Sequence, residues 1–259
     1  MTDLDWLIRP IAHRGLHDHA KGRIENSQSA VQAAVDAGYA VEVDIQPAMD
    51  GEAVVFHDID LDRLTHASGL VIKRSSGELK QVRFKDTSDR MQILPELLEQ
   101  VSGSVPLILE IKSDWHDRGS FETTVARHLK NYQGRVAVMS FDAHVIKAFR
   151  TIAPRLTRGL VAGSFRDPHY WGHLSPVRRF AMRHLLSGFI AKPHFIAYDI
   201  EALPAPAPRV WRDVLRRPLL TWTVRTDAQR QRAKRWADAM IFEGFRPQTG
   251  LGTRSETDG

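Results

Sequence analysis

Eight short runs of apolar, largely β-branched residues recur along the chain: PIAHRG, YAVEVDI, PLILEIK, RVAVMSF, LTRGLVA, FIAYDI, LLTWTV and AMIFEG. Each has the length and composition of a buried strand. Between most of them lie segments with apolar residues at helical spacing. Ala30, Val31, Ala34 and Val35 share one face, with Asn26 and Ser27 as cap candidates before them and Gly38 as the stop. Phe121, Val125 and Leu129 form a second face after Ser120, and Val145, Ile146 and Phe149 a third, capped by Asp142. Strand followed by helix, repeated, requires parallel strands joined by helical crossovers. Eight such units in 259 residues predict an α/β fold, a closed (β/α)8 or TIM barrel. An open doubly wound sheet is the alternative this pattern leaves.

Two places break the alternation. The second strand runs through MDGE into VVFHD, an Asp-Gly hairpin signal rather than a crossover. A long insertion then precedes the third barrel strand, and within it only ILPELLEQV has a firm helical pattern. The expected organisation is one barrel domain over residues 1–251 and a polar, disordered tail over 252–259. No uncharged apolar run approaches the roughly 20 residues of a membrane-spanning helix, and Asp3 and Asp5 stand where an export signal carries basic residues. The expectation is a soluble, cytoplasmic protein.

Charged residues interrupt these strands at their ends, where a barrel of this kind carries its active site. Glu42 and Asp44 lie two apart and share one face of their strand; Glu110 and Lys112 repeat that spacing. His13 and Arg14 end the first strand, and His57 and Asp58 end the hairpin. Two carboxylates on one face repel, and burial makes the anions costlier, so a positive partner is required. With no cysteine in the chain, that partner cannot be a thiolate-bound zinc, and disulfides and a cysteine nucleophile are excluded as well. Three carboxylates, Glu42, Asp44 and Glu110, suit a hard divalent cation, Ca2+ or Mg2+. With that cation, Arg14 and Lys112 would leave one positive charge, which a phosphodiester anion neutralises. His13 and His57 remain for proton transfer near neutral pH. Taken singly, each feature has an ordinary alternative: a same-face ion pair for Glu110 and Lys112, lysine partners for Glu42 and Asp44, a backbone carbonyl for either histidine.

The ordered set IAHRG, IENS, VEVDIQPAMDGEAVVFHD, LDRLT, LILEIK and TWTVRT resembles the glycerophosphodiester phosphodiesterase family, across roughly residues 11–245. The resemblance implies a TIM barrel that hydrolyses glycerophosphodiesters to sn-glycerol 3-phosphate and an alcohol, with one Ca2+ or Mg2+. It implies His13 and His57 as the acid–base pair, Glu42, Asp44 and Glu110 as metal ligands, and Arg14 and Lys112 as phosphate contacts. Trp222 would pack on the alcohol portion, and Glu25 and Asn26 would support the site. The chain departs from the family pattern at Arg225, where an Asn is usual, and Glu243 is left without a role. The rival readings are a related phospholipase of the D or C type working at a membrane surface, and a non-catalytic phosphate-binding barrel.

The net charge of +5 speaks to partners. Residues 158–192 hold six Lys and Arg against one Asp, which accounts for the whole imbalance. A patch so local argues against a nucleic-acid-binding surface spread over the fold. Within it, SPVRRFAMRHLLSGFI suits a helix with Val177, Phe180, Leu185 and Phe189 packed on the barrel and Arg178, Arg179 and Arg183 exposed. That face is either an ordinary solvated one or, over residues 175–192, a weak membrane-surface contact.

Overall fold

The computed structural model describes residues 4–113 and 119–248. The proposed 252–259 tail and Asp3 lie outside the described residues. Among the described residues there are nine strands: β1 (Ile11–Ala12), β2 (Ala40–Pro47), β3 (Ala53–Val55), β4 (Leu107–Ile111), β5 (Val136–Ser140), β6 (Thr157–Ala162), β7 (Phe195–Asp199), β8 (Leu219–Val224) and β9 (Ala239–Phe242). Every strand except β3 pairs in parallel with both neighbours, from β1 through β2, β4 and onward to β9, and β9 pairs back onto β1. The sheet is a closed eight-stranded barrel, which removes the open-sheet alternative. The hairpin extension is also present: β3 runs antiparallel to β2, with Ile45 opposite Val55 and Pro47 opposite Ala53.

Period-two alternation sorts the strand residues into two apolar layers. Ile11, Ala40, Ile108, Ala137, Met139, Val161, Phe195, Ala197, Leu220 and Ile241 fill the barrel interior, joined by Leu7 from the turn before β1. Val41, Val43, Leu107, Leu109, Val138, Leu160, Ile196 and Leu219 face outward, beneath the helices. Glu42 and Asp44 therefore share the interior face with Ala40, and Glu110 shares it with Ile108. They stand above the apolar filling, at the C-terminal rim.

The helices are α1 (Gln28–Asp36), α2 (Ser76–Leu79), α3 (Leu94–Val101), α4 (Ser120–Leu129), α5 (Ala143–Ile152), α6 (Pro168–Trp171), α7 (Pro176–Arg183), α8 (Gly188–Ala191), α9 (Pro206–Arg209) and α10 (Asp227–Trp236). Those foreseen from apolar spacing, α1, α3, α4 and α5, bury the expected faces. Ser27 and Asp142 accept hydrogen bonds from helix-terminal N–H groups as caps. Asn26 does not cap α1; it is fully buried and turned to Asp44. The insertion between β3 and β4 packs Phe56, Leu61, Val71, Leu79, Phe84 and Met91 into a small second core that Ile24, from before α1, joins.

The segment between β6 and β7 differs from its sequence expectation. Of Val177, Phe180, Leu185 and Phe189, only Leu185 is buried, and the other three are exposed. The single stripe fails because the helix does not continue. Leu185 takes a left-handed backbone (φ 56°), which ends α7 and puts Phe189 on the separate helix α8. Met182 and Leu185 fill the space against the barrel, and the Tyr198 hydroxyl donates to the Arg183 carbonyl at 2.9 Å. Arg158 also leaves the basic patch: it is buried, and its guanidinium donates to the carbonyls of Pro154 and Leu156. Among the described residues no helix is long and apolar enough to cross a membrane.

Candidate active site

The rim residues of β1, β2, β4, β5, β7, β8 and β9 surround a cleft of about 470 Å³ at the C-terminal mouth of the barrel. Its polar half holds His13, Arg14, Glu42, His57, Glu110 and Lys112. The register of β2 and β4 sets Asp44 directly beside Glu110, and Glu42, Asp44 and Glu110 each bring an oxygen within 4.8 Å of the others.

Two cations are threaded among these carboxylates. Lys112 Nζ lies 2.7 Å from Asp44 Oδ1 and 2.6 Å from Glu110 Oε1. Arg14 places Nε 3.2 Å from Asp44 Oδ2 and donates through Nη1 to Glu25 at 2.5 Å. The same-face ion pair is thus real, and three carboxylates against two cations leave one negative charge uncompensated. That charge falls on Glu42. Burial and the neighbouring Asp44 and Glu110 anions push its carboxyl well above the usual range, although the Arg14 N–H donates to it. For Asp44, burial works against the anion, but Lys112, Arg14 and His57 outweigh it and hold its carboxyl well below the usual range. Burial likewise opposes the Lys112 cation, and Asp44 and Glu110 more than restore it.

Glu42 Oε1 is buried without a hydrogen-bond partner. An orphaned anionic oxygen beside two further carboxylate oxygens is a donor set that fits a hard divalent cation. Asn26 steadies this set: its amide donates to Asp44 Oδ2 at 2.9 Å and its carbonyl accepts the Asp44 N–H at 3.1 Å. Glu25 also reaches Arg63, whose Nη2 is 2.7 Å from it.

Each histidine is oriented by a carboxylate. His13 Nδ1 is 2.7 Å from Glu243 Oε2, and His57 Nδ1 is 2.7 Å from Asp58 Oδ1. Burial opposes the Glu243 anion, but hydrogen bonds from His13 and His17 hold its carboxyl well below the usual range. A carboxylate can only accept, so Nδ1 of His13 carries the proton and Nε2 is the free nitrogen, 4.0 Å from Glu42 Oε2. Burial lowers the His13 pKa from its ordinary value, with Glu243 partly offsetting the fall. Asp58 is in turn gripped by Arg63, with Nε at 2.6 Å and Nη2 at 2.9 Å.

The structure therefore gathers all ten residues singled out in the sequence around one mouth. It also supplies partners that sequence reasoning missed. Glu243 carried the same signal as Glu110, a carboxylate ending an apolar strand, and was readable. Arg225, the departure from the family pattern, ion-pairs with Glu243 and lines the cleft. Trp171 lines the opposite, apolar half with Phe141 and Trp222, and no local pattern marks it. Phe141 packs edge-on to Trp222 at 5.4 Å and against Trp171 at 5.2 Å. The indole N–H of Trp222 is buried with no hydrogen-bond partner.

Known proteins resemble this chain in sequence and in fold. The chain is 31% identical over 161 residues to a glycerophosphodiester phosphodiesterase of Caldanaerobacter subterraneus, covering 58% of this chain and 65% of that one. It is 30% identical over 162 residues to one of Bacillus altitudinis, covering 58% and 64%. The match spans less than two thirds of either relative. In fold, it is similar to an Oleispira antarctica phosphodiesterase solved with sn-glycerol-3-phosphate, with a TM-score of 0.74 at 20% identity over 90% of this chain and 92% of the other. A Thermotoga maritima glycerophosphodiester phosphodiesterase gives a TM-score of 0.67 at 24% identity over 90% and 93%. A family model for glycerophosphoryl diester phosphodiesterases matches residues 13–245, from the first site histidine to just past the strand that carries Glu243. Motif order, barrel and match thus agree, and the chain belongs to the glycerophosphoryl diester phosphodiesterase family.

Proposed function

We propose that residues 1–251 form one catalytic domain, a metal-dependent phosphodiesterase that hydrolyses glycerophosphodiesters to sn-glycerol 3-phosphate and an alcohol. The observation that carries this reading is the pairing of His13 with Glu243 and His57 with Asp58 around a carboxylate set with one uncompensated charge. A phosphate-binding scaffold would need the cations but not two carboxylate-oriented imidazoles.

Glu42, Asp44 and Glu110 would hold one Ca2+ or Mg2+, whose chemistry there is Lewis-acid stabilisation of charge on the non-bridging phosphate oxygens. The protein's own groups supply the remainder. Arg14 and Lys112 direct N–H donors at the phosphate and stabilise the charge that develops on it. One histidine takes at Nε2 the proton of the attacking hydroxyl, water or the substrate's own glycerol hydroxyl, and the other protonates the departing alkoxide as its bond to phosphorus breaks. The carboxylates on Nδ1 fix each ring and stabilise it when charged, as in other His–carboxylate dyads. Glu25 and Asn26 orient Arg14 and Asp44. Trp222 and Phe141 pack against the alcohol portion of the substrate and exclude water from that side.

The test is release of glycerol 3-phosphate from glycerophosphocholine, with and without exhaustive chelation. Release that stops on chelation and returns with Ca2+ or Mg2+ supports the reading. Full turnover of chelated protein would remove the metal site, and no release from any glycerophosphodiester would remove the activity.

A further inference from the structure

The α7–α8 hairpin leaves five large apolar side chains in solvent within fourteen residues: Val177 (78% exposed), Phe180 (58%), Leu186 (47%), Phe189 (57%) and Ile190 (62%). Single exposed apolar residues are common on soluble proteins, but five large ones within one short connection mark an interaction surface. The hairpin that carries them is held in place. Met182 and Leu185 anchor it to the core, Phe189 rests on Trp211 with ring centroids 5.3 Å apart, and Arg150 of α5 donates to the Ile190 carbonyl at 3.0 Å.

The charge around these residues says what covers them. From Pro168 to Tyr198 the chain contains no Asp or Glu, while Lys192, exposed, and Arg178, Arg179 and Arg183, half-buried rather than fully exposed as the sequence predicts, interleave with the exposed apolar positions. A second copy of this chain seated face to face would set these cations against their own equivalents, since a two-fold interface is self-complementary. Large apolar side chains flanked by Arg and Lys instead match an interface where acyl chains lie beneath anionic headgroups. We infer that the α7–α8 hairpin is a docking surface for an anionic lipid bilayer. Because α7 follows Trp171, a wall of the cleft, by only a short turn, docking holds the barrel mouth beside the bilayer interface. This inference concerns the hairpin and does not rest on the chemistry assigned to the cleft.

The test is co-sedimentation of the full chain with vesicles of phosphatidylcholine alone and of equimolar phosphatidylcholine and phosphatidylglycerol, across a salt series. The wild type should bind the anionic vesicles at least about tenfold more strongly than the neutral ones, and less so as salt rises. The Val177→Ser, Phe180→Ser, Phe189→Ser triple variant should lose about tenfold or more of that binding at every salt concentration. The Arg179→Gln, Arg183→Gln double variant should lose the preference for anionic vesicles and its salt dependence. Circular dichroism and melting temperature establish that both variants fold, and turnover of a small saturating diester should stay within about twofold of wild type, because no altered residue touches the cleft. The inference is overturned if wild type ignores anionic vesicles, or if the apolar variant binds them as well as wild type does. It is equally overturned if light scattering shows a dimer that the apolar variant dissociates while vesicles capture neither form.

Discussion

At the scale of single residues, two kinds of constraint meet at the rim. Glu243 touches His13 rather than the substrate cleft's phosphate end, so it acts through the imidazole it orients. Glu243→Gln should lower kcat by about 10²-fold while KM changes less than about twofold, with His13→Ala as the more severe comparison, about 10²–10⁴-fold. Steady-state kinetics on glycerophosphocholine separates the two parameters, and a KM effect alone would assign Glu243 to binding. Gly15 is constrained by backbone instead. It has φ +77°, and a Cβ there would lie 2.7 Å from the Ala30 carbonyl carbon. Its freedom lets the His13–Arg14 turn close onto α1, where the Leu16 N–H meets the Ala30 carbonyl. Gly15→Ala should therefore cost about 2–3 kcal/mol, read from urea unfolding. A loss under about 0.5 kcal/mol would show that the turn relaxes freely.

At the scale of elements, stability and patterning part company in α10. It buries only Ala233, so its sequence DAQRQRAKRW carries no apolar stripe and reads as a solvated segment. Its definition comes from the start. The Thr226 side chain accepts the Gln229 N–H, while the Gln229 side chain accepts from the N–H groups of Thr226 and Arg225. Thr226→Ala should remove about 1 kcal/mol of stability, more than its solvent contact suggests, and a denaturant midpoint series checks it. The α7–α8 hairpin shows the converse. There the apolar spacing is strong, yet a left-handed residue divides it and most of its large side chains stay in water. In the hairpin the hydrophobic period misled because a left-handed residue ended the helix, and in α10 the defining interaction is a side-chain cap at the helix start.

At the scale of the whole molecule, charge sets two expectations. The cleft holds one buried carboxyl, Glu42, with no cation of its own to favour its ionised form, so added Ca2+ or Mg2+ should raise the melting temperature, by an amount equivalent to about 2.7 kcal/mol at a hundredfold excess over Kd. Glu42→Gln should abolish that rise without lowering the melting temperature of chelated protein, since it removes the uncompensated charge. A variant that still responds to the cation would move the site elsewhere. Away from the cleft, His194 is held down to about 4 by burial, with Arg158 and Arg217 adding to the effect. Its Nδ1 accepts the Arg158 N–H at 3.3 Å, which requires the neutral ring. Between about pH 6.5 and 4 the unfolded chain binds a proton at this residue that the folded one refuses. Stability from this group is therefore present above pH 6.5 and declines as pH falls toward 4, by about 1–2 kcal/mol after allowing for its partial solvent contact. His194→Asn, which keeps an acceptor, should flatten that part of the stability–pH curve, and an unchanged slope would assign it to other groups.

What the sequence determined by itself was whatever local geometry controls. Eight β-branched runs separated by helical spacing determined parallel strands joined by helices, because burial on both faces of a parallel strand leaves few other residue choices, while closure into a barrel rather than an open sheet came from β9 pairing onto β1. The i, i+2 spacing of Glu42 with Asp44 and of Glu110 with Lys112 placed each pair on one face, since alternation in a strand admits no other outcome. What only the tertiary structure decided was which distant groups meet once the barrel closes. His13 finds Glu243 because β9 pairs back onto β1, Trp171 reaches the cleft from a connection with no readable period, and Lys112 settles between Asp44 and Glu110 because β2 and β4 are in register. Periodicity reports the direction of a side chain from its own strand or helix, whereas the partner at the end of that direction is set by closure, register and the turns that end each element.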